Sequence, residues 1–169
     1  MKEIKRYWYA LYTKPKHEFK AADRIRSIDI EYYLPTITTV KQWSDRKKKV
    51  TEPLFKGYIF VKANETERFL VLALDGIVNT VCFGGKPSRI PDWEIENLKR
   101  MMEIDPNVIV SEKIPIGSLV KVIEGPFAGI EGNVCEEENN ERMLGITVNL
   151  LRRSVLVKLP MDNVIETKN

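Results

Sequence analysis

Five basic residues near the N-terminus have the spacing of a phosphate-binding ridge. They are Lys14, Lys16, His17, Lys20 and Arg24. The last three are separated by three and four positions, so on a helix their side chains lie along one line. Such a line of cations attracts nucleic-acid phosphates, whereas a choice of sequence would also need contacts to base edges. The alternative for this pattern, a solvated charged face, stays open.

A second basic group is predicted at the tip of a long β-hairpin. Strand-forming residues 36–43 and the segment that begins at Val50 flank a charged stretch. This stretch includes Arg46, Lys47 and Lys48. Trp43 beside it could stack on a base or on a backbone sugar, which favours a position near upstream DNA. The alternative is a solvated loop whose charges discourage aggregation through a strand edge.

The residue types needed for catalysis are sparse or wrongly spaced. His17 is the single histidine, and the sequence contains no Gly-rich phosphate loop, HExxH or GxSxG motif. Cys82 and Cys135 lack a CxxC spacing, so we expect two reduced, mostly buried thiols rather than a metal or redox site. The acidic run 136–138 precedes a predicted turn and is expected to be a solvated loop. We therefore expect no enzymatic activity, no cofactor and no bound metal.

The composition is that of a folded, water-soluble protein. Of 169 residues, 43% are hydrophobic and 30% are charged, and the net charge of +3 is too small to indicate nucleic-acid binding by itself. No apolar run approaches the ~20 residues that span a bilayer, and the N-terminus lacks a signal-peptide core. We expect a cytoplasmic monomer of one or two domains with no membrane association.

The first half of the chain mixes predicted strands and helices. Strands are predicted at residues 7–12, 36–43, 50–61 and 77–83, and helices at residues 17–29, 65–74 and from Asp92 to Met102. Asn64 is expected to cap the second helix, with Glu67 reaching back to it in a capping box. This order predicts an α+β fold, in which helices pack on an antiparallel sheet.

The second half of the chain reads as five short strands in about fifty residues. Such a unit is expected to close into a small barrel, because closure leaves no long open edge. A stretch with proline near both ends and no helical period precedes it and predicts a linker. The predicted boundaries are residues 1–105 for the first domain, 106–114 for the linker and 115–169 for the second domain.

A glycine-rich turn joins the first two strands of the predicted barrel. Gly125, Pro126 and Gly129 indicate a tight excursion of the backbone, because glycine adopts angles closed to other residues. Gly132 interrupts the following strand and indicates a bulge or a close backbone approach. Phe127 is expected to plug the end of the barrel. These five residues are therefore predicted to be structural, and the stretch resembles the KOW motif.

The first half adds a second resemblance, and together the two identify the chain as a member of the NusG family. The segments that resemble the family's N-terminal (NGN) domain are residues 8–15, Glu18, residues 52–61 and residues 84–87. The order of the two domains also fits, and the resemblance spans residues 7–165. It implies an NGN domain followed by a five-stranded, SH3-like KOW barrel.

The resemblance also implies a partner and its contact residues. The family's NGN domain rests on the clamp helices of the RNA polymerase β′ subunit, bridges the DNA channel and suppresses pausing. At the matching positions, Trp8, Phe55 and Tyr58 would line that surface, with Leu54 beside them, because aromatic anchors supply much of the affinity of interfaces. The alternative is that these are core residues. In specialised paralogs such as RfaH, the region of the basic ridge contacts non-template DNA.

Two departures from the general factor change the expected type of protein. Lys56 replaces a proline in Phe-Pro-Gly-Tyr, which adds charge beside the polymerase surface. Leu151 replaces the phenylalanine that anchors ribosomal protein S10 and Rho, which removes ring contacts of roughly 1 kcal/mol and puts both couplings in doubt. Arg152 and Arg153 follow it and form a basic spot that could touch nascent RNA.

The resemblance is strongest to UpxY-type paralogs, which are tied to antitermination in long surface-polysaccharide operons. It rests on residues 12–18 and 40–49. The second predicted helix lacks RfaH's His-Thr-Thr run, so that contact is not carried over. RfaH also stores its second domain as a helical hairpin, whereas Val120, Val122 and Thr147 favour strands here. The leading hypothesis is an operon-specific antiterminator. The alternatives are a housekeeping NusG and a KOW-type protein that binds structured RNA.

Overall fold

The computed structural model describes residues 4–112, 117–136, 142–160 and 164–167. Two compact units divide the chain, Met1–Asp92 and Trp93–Asn169. Within the described ranges, no helix is long and apolar enough to cross a bilayer.

The first unit has the predicted α+β architecture. Its elements are β1 (Tyr7–Thr13), α1 (Glu18–Ser27), β2 (Glu31–Tyr33), β3 (Thr36–Gln42), β4 (Lys47–Pro53), β5 (Tyr58–Ala63), α2 (Glu65–Leu72), β6 (Ile77–Thr80), β7 (Cys82–Phe83), β8 (Lys86–Pro87) and β9 (Arg89–Ile90). The main sheet has the order β2-β5-β1-β6, with β9 also paired to β1, and its pairings are antiparallel.

One face of this sheet forms the core against the helices. In β1, Tyr9 and Leu11 are buried in a cluster that includes Ala21 and Ile25 of α1 and Val71 of α2. Because successive side chains of a strand point to opposite faces, the alternate residues of β1 lie on the other face. The sheet therefore has a helix-covered face and a second face that the two helices leave uncovered.

The predicted ends of the helices are partly correct. The capping box of α2 is confirmed: Asn64 Oδ1 accepts from the Glu67 amide at 2.9 Å, and the Asn64 amide donates to Glu67 Oε2 at 2.9 Å. Helix α1 is shorter than residues 17–29, since His17 is its N-cap residue and Asp29 has a left-handed φ of 57°. A residue in that conformation cannot continue a right-handed helix.

The stretch from Ile77 to Phe83 is two strands rather than one. β6 pairs with β1, whereas β7 leaves the main sheet and pairs with β8 in a small hairpin. Cys82 therefore lies on an exposed hairpin, which corrects the prediction that both thiols are mostly buried; Cys135 is half-buried. Both cysteines are free thiols. The described residues bring together no group of three or more His, Cys, Asp or Glu side chains that could hold a metal ion.

The second unit is a helix and a six-stranded antiparallel sheet. Its elements are α3 (Asp92–Ile104), which starts at the last residue of the first unit, β10 (Ile109–Ser111), β11 (Ser118–Glu124), β12 (Glu131–Glu136), β13 (Arg142–Val148), a 3-10 turn (Asn149–Leu151), β14 (Arg153–Lys158) and β15 (Val164–Thr167). The strand order is β10-β14-β13-β12-β11-β15. β10 lies inside the predicted linker, because its residues pair with β14, so the sheet has six strands rather than five.

The boundary between the two compact units follows Asp92. It therefore lies before residue 105, where the first domain was predicted to end. Helix α3 packs with the second unit, where Arg100 donates to the carbonyl of Ala128 at 2.6 Å and Asn149 donates to Glu94 Oε1 at 2.9 Å. The functional boundaries of the NGN and KOW domains stay a prediction.

The glycine turn of the second unit has the structural role predicted for it. Gly125 and Gly129 have φ of 96° and 87°, and Phe127 is buried. At Gly132, a Cβ would lie 2.5 Å from the carbonyl oxygen of Gly145, so only glycine fits the spacing between β12 and β13. The described residues after position 117 form strands and one 3-10 turn, as the strand-forming residues indicated. The acidic run 136–138 lies largely outside the described residues.

Candidate binding surfaces

The face of the main sheet opposite α1 and α2 carries a group of aromatic side chains, which we call the aromatic face. Tyr12 and Tyr58 lie opposite each other on β1 and β5, with ring centroids 5.2 Å apart. Tyr33 stacks on Phe60 at 6.3 Å, and Phe55 meets Phe60 edge-on at 5.9 Å. Both are favourable arrangements of aromatic rings. The rings form two groups, one of Tyr12 with Tyr58 and one of Tyr33, Phe60 and Phe55.

Access to these rings differs from the sequence-based expectation. Tyr12 is 40% exposed and Tyr58 is half-buried, whereas Phe55 is 4% exposed and Leu54 is also buried. Trp8 is 0% exposed. It is therefore a core residue and does not line a partner surface as predicted. Its cross-strand partners Lys62 and Ile90 lie on the same face of the sheet, and the ammonium of Lys62 lies 5.9 Å from the centroid of the Trp8 ring. Of the four predicted contact residues, Tyr58 is therefore the accessible one.

Sequence reasoning missed two residues of this face, Tyr12 and Tyr33. Tyr12 occupies the same face of β1 as Trp8 and Ala10, so the period-two alternation of a strand could have identified it. Tyr33 required knowledge of the pairing of β2 with β5, in which Tyr33 lies opposite Phe60. This pairing joins residues far apart in the chain and has no local signal.

A tight turn presents the predicted contact residues. The amide of Tyr58 donates to the carbonyl of Phe55 at 3.2 Å, and Gly57 between them has φ of 82°. These features fit a type II turn, which needs a positive φ at its third residue. Lys56 occupies the corner, and its ammonium lies 3.7 Å from Glu52. The pKa of the Glu52 carboxyl is lowered, mainly by its hydrogen bond with Lys41.

Two hydrogen bonds hold this turn against the rest of the first unit. The amide of Gly57 donates to Glu18 Oε1 at 2.8 Å, and the amide of Thr13 donates to the carbonyl of Gly57 at 2.9 Å. Glu18 is 5% exposed, so a buried carboxylate of α1 fixes the position of the turn. The sequence placed Glu18 on a helix of the family pattern, and the structure shows that its side chain accepts a hydrogen bond from this turn.

The basic ridge is less available than its spacing suggested. Lys14 donates to Asp75 Oδ1 at 2.7 Å, and Arg24 donates to Asp75 Oδ2 at 2.8 Å and to the Asp75 carbonyl. The hydrogen bond from Lys14, followed by that from Arg24, lowers the pKa of Asp75 to about 2. Two of the five basic residues therefore share one carboxylate, and Lys14, Arg24 and Asp75 together carry a charge of +1.

The other three members of the ridge lie in different settings. The Nδ1 atom of His17 is 2.9 Å from the carbonyl oxygen of Pro15, so the imidazole turns back toward the chain. Lys16 and Lys20 are exposed, and within the described part of the chain neither makes a salt bridge. These two lysines remain the accessible cations of the ridge, and their contact with nucleic acid stays a prediction.

The second basic group lies where it was expected, at the end of the β3–β4 hairpin. Seven residue pairs form the hairpin, from Thr36–Pro53 to Gln42–Lys47. Arg46, Lys47 and Lys48 are exposed. The indole of Trp43 is 53% exposed, and the ammonium of Lys48 lies 5.4 Å from its centroid. The hairpin thus presents an accessible ring next to cations.

The predicted partner or RNA surface of the second unit has three residues that lie in different environments: Leu151, Arg152 and Arg153. Leu151 is buried, so its side chain is not presented to a partner as predicted. Arg153 forms a salt bridge of 3.0 Å with Glu112, which reduces its availability for RNA. Arg152 is exposed, with φ of 50° directly after the 3-10 turn. Arg152 is therefore the accessible residue of the three, and its partner stays a prediction.

An α+β unit with an accessible aromatic face and two basic features has the surfaces of a protein that binds other macromolecules. Residues 6–99, more than half of the chain, match the family model described as transcription termination factor nusG. The chain therefore belongs to the NusG family, whose members are transcription factors and not enzymes.

The chain is also similar to individual NusG proteins. The transcription termination/antitermination protein NusG of Halalkalibacterium halodurans is 24% identical, with 95% of this chain and 98% of that protein aligned. The NusG of Lactococcus lactis is 29% identical, with 86% and 78% aligned. A solved structure of Thermotoga maritima NusG is 24% identical, covers 92% of this chain and 93% of its own, and has a TM-score of 0.48.

Proposed function

We propose that this chain binds RNA polymerase through its aromatic face and acts as an operon-specific elongation and antitermination factor. The partner surface is the pair of clamp helices of the β′ subunit. The observation that carries the proposal is the Tyr12–Tyr58 pair, whose rings lie 5.2 Å apart on a face that α1 and α2 leave uncovered. Family membership supports a role in transcription.

The chemistry of this face suits an apolar helical partner. Aromatic side chains bury a large area, while their hydroxyl groups can still donate hydrogen bonds at the edge of an interface. Phe60 lies two residues along β5 from Tyr58 on the same face, and it is buried together with Phe55, which it meets edge-on. The turn that presents Tyr58 is fixed by Glu18, so little ordering entropy is lost on binding.

Nucleic-acid contacts are proposed beside the polymerase contact. The accessible cations of the first unit are Lys16 and Lys20 near α1 and the basic end of the β3–β4 hairpin. They are the candidates for contact with non-template or upstream DNA. Exposed cations of this kind give affinity for phosphates without a preference for sequence.

Two observations support a specialised factor over a housekeeping one. Lys56 at the corner of the turn adds an exposed cation to the aromatic face, where its ammonium is near Glu52. Leu151 is buried, so the position that anchors ribosomal protein S10 and Rho in the general factor presents no ring. Both differences would alter partner choice while leaving polymerase binding in place.

A pull-down with core RNA polymerase tests the binding surface. We expect Tyr12→Ala with Tyr58→Ala to weaken binding at least tenfold, because central aromatic anchors typically contribute more than about 1 kcal/mol each. Phe69→Ala is the matched control, since Phe69 is an exposed aromatic of α2 on the other side of the sheet. Equal binding by the double variant and the control would contradict the assignment of this face.

A read-through assay tests the type of factor. Long templates are transcribed with and without candidate operon leaders, and we expect read-through to increase only on templates that carry the correct leader. An equal effect on every template would instead indicate a housekeeping NusG. Binding of structured RNA by the second unit without any binding of polymerase would indicate a KOW-type RNA-binding protein.

A further inference from the structure

The β3–β4 hairpin has two faces of different chemistry. Its strands pair only with each other in the described structure, and residues 38–49 are all exposed, so both faces of the outer part of the hairpin are open to a ligand. Alternation along the strands places Thr39, Lys41, Trp43, Lys48 and Val50 on one face, which we call the Trp face. The opposite face carries Val40, Gln42, Lys47 and Lys49. The contact between Lys48 and the Trp43 ring confirms that these two share a face.

Two lysines on the Trp face lie directly opposite each other. Lys41 pairs with Lys48 in the register of the hairpin, and like charges at directly opposed positions destabilise a strand pair. The two side chains diverge: Lys48 lies over the Trp43 ring at 5.4 Å, and Lys41 reaches Glu52 at 3.1 Å. Lys48 is therefore the lysine of this pair that stays beside the Trp43 ring, whereas Lys41 is paired with Glu52.

The charge of the hairpin end is nearly all of one sign. Residues 41–49 contain five cations and a single acid, Asp45. In the part of the chain that the structure describes, Arg46, Lys47 and Lys49 make no salt bridge. A half-exposed indole therefore lies among unneutralised cations, which is the combination found in grooves that bind single-stranded nucleic acids.

We infer that the Trp face of the hairpin binds single-stranded nucleic acid by stacking one unpaired base on Trp43. A neighbouring phosphate would lie on Lys48, whose ammonium is 5.4 Å from the centroid of the ring. A single strand fits better than a duplex because the accessible group is the face of an indole, and base faces are covered in a duplex. This inference deepens the proposed function by assigning a ligand class to the hairpin, but it needs no contact with polymerase.

Binding of the full chain to labelled oligonucleotides tests this inference. The probes are dT12, rU12 and a 12-base-pair duplex of mixed sequence, followed by fluorescence anisotropy at fixed salt. We expect Trp43→Ala to weaken single-strand binding roughly 5- to 150-fold, as stacking on one aromatic ring implies, and Trp43→Phe to retain most of the affinity. A preference for dT12 would identify a displaced DNA strand as the source, and a preference for rU12 would identify nascent RNA.

A pair of adjacent lysines gives a matched control. Lys48→Gln and Lys49→Gln remove the same charge one position apart, but from opposite faces of the hairpin. We expect Lys48→Gln to lower the dependence of log K on log salt by about 0.7, as the loss of one phosphate contact on a single strand implies, and Lys49→Gln to lower it less. Equal effects of the two variants would overturn the assignment of the Trp face.

Two more results would overturn the inference. One is wild-type affinity in Trp43→Ala, and the other is tighter binding of the duplex than of either single strand. The polymerase pull-down is run on the same variants, and Trp43→Ala is expected to bind polymerase as the wild type does. Loss of oligonucleotide binding with intact polymerase binding supports the inference. Failure of Tyr12→Ala with Tyr58→Ala to affect polymerase would contradict only the proposed function.

Discussion

The buried carboxylate of Glu18 should control the position of the turn that presents Tyr58. Its Oε1 atom accepts from the Gly57 amide at 2.8 Å, and its side chain is almost fully buried. Glu18→Ala removes this acceptor and leaves a partly buried amide without its partner, which costs about 1.5–3 kcal/mol for a bond to a charged group. It also removes a carboxylate from the first turn of α1, which adds about 0.3–1 kcal/mol.

Glu18→Gln separates these two effects. A glutamine keeps an acceptor oxygen but makes only a neutral hydrogen bond, which contributes about 0.5–1.5 kcal/mol. We therefore expect Glu18→Gln to lose about half as much stability as Glu18→Ala. Asp23→Ala is the control on the same helix, because Asp23 makes an exposed pair with Arg26 and should change stability by less than about 0.5 kcal/mol.

Amide hydrogen exchange measures this effect at the turn itself. A loss of about 2 kcal/mol in local opening free energy would speed exchange of the Gly57 amide roughly 30-fold. The Thr13 amide, which donates to the Gly57 carbonyl, should follow it. Polymerase affinity should also fall, although Glu18 lies outside the aromatic face. Unchanged protection of Gly57 in Glu18→Ala would refute the argument that this carboxylate fixes the turn.

Two further changes test the surroundings of the aromatic face. Lys56→Pro should stabilise the first unit by about 0.4–1 kcal/mol, because proline suits the second position of a type II turn and restricts the unfolded chain. Urea unfolding measures this change, and a lower urea midpoint in the variant would show that the turn is of another type. Asp75 has a folded pKa of about 2 against an ordinary 3.8, so its stabilising effect is complete above pH 3.8 and is lost as pH falls toward 2. Asp75→Asn should flatten this part of the stability–pH curve, and an unchanged curve would contradict the ion pairs with Lys14 and Arg24.

The features that the sequence predicted correctly are those with local causes. The capping box depends on Asn64 and Glu67, three residues apart, and the glycine turn depends on residues 125–129. The burial of Trp8 depends instead on side chains far along the chain, such as Lys62 and Ile90, which the pairing of β5 and β9 with β1 brings beside it. The exposure of Cys82 depends on where the chain leaves the main sheet. Neither feature has a signal within a short window of sequence.

The ridge near α1 had the stronger sequence pattern, but the β3–β4 hairpin has more accessible charge in the structure. Asp75 lies 61 residues from Lys14 and 51 from Arg24 and neutralises part of their charge. No periodicity argument could have revealed that partner. The hairpin has the weaker pattern but keeps its charge, since Lys41 alone among its five cations forms a salt bridge within the described residues.

Because phosphate binding depends on cations that are free to exchange their counterions, the hairpin should contribute more to nucleic-acid affinity than the ridge. The hairpin also carries the indole that can distinguish an unpaired base from a duplex. The ridge keeps two accessible lysines, Lys16 and Lys20, and its paired members hold the loop between α2 and β6 against α1. We therefore expect the hairpin, rather than the ridge, to be the main nucleic-acid contact, whereas Lys14 and Arg24 stabilise the first unit through Asp75.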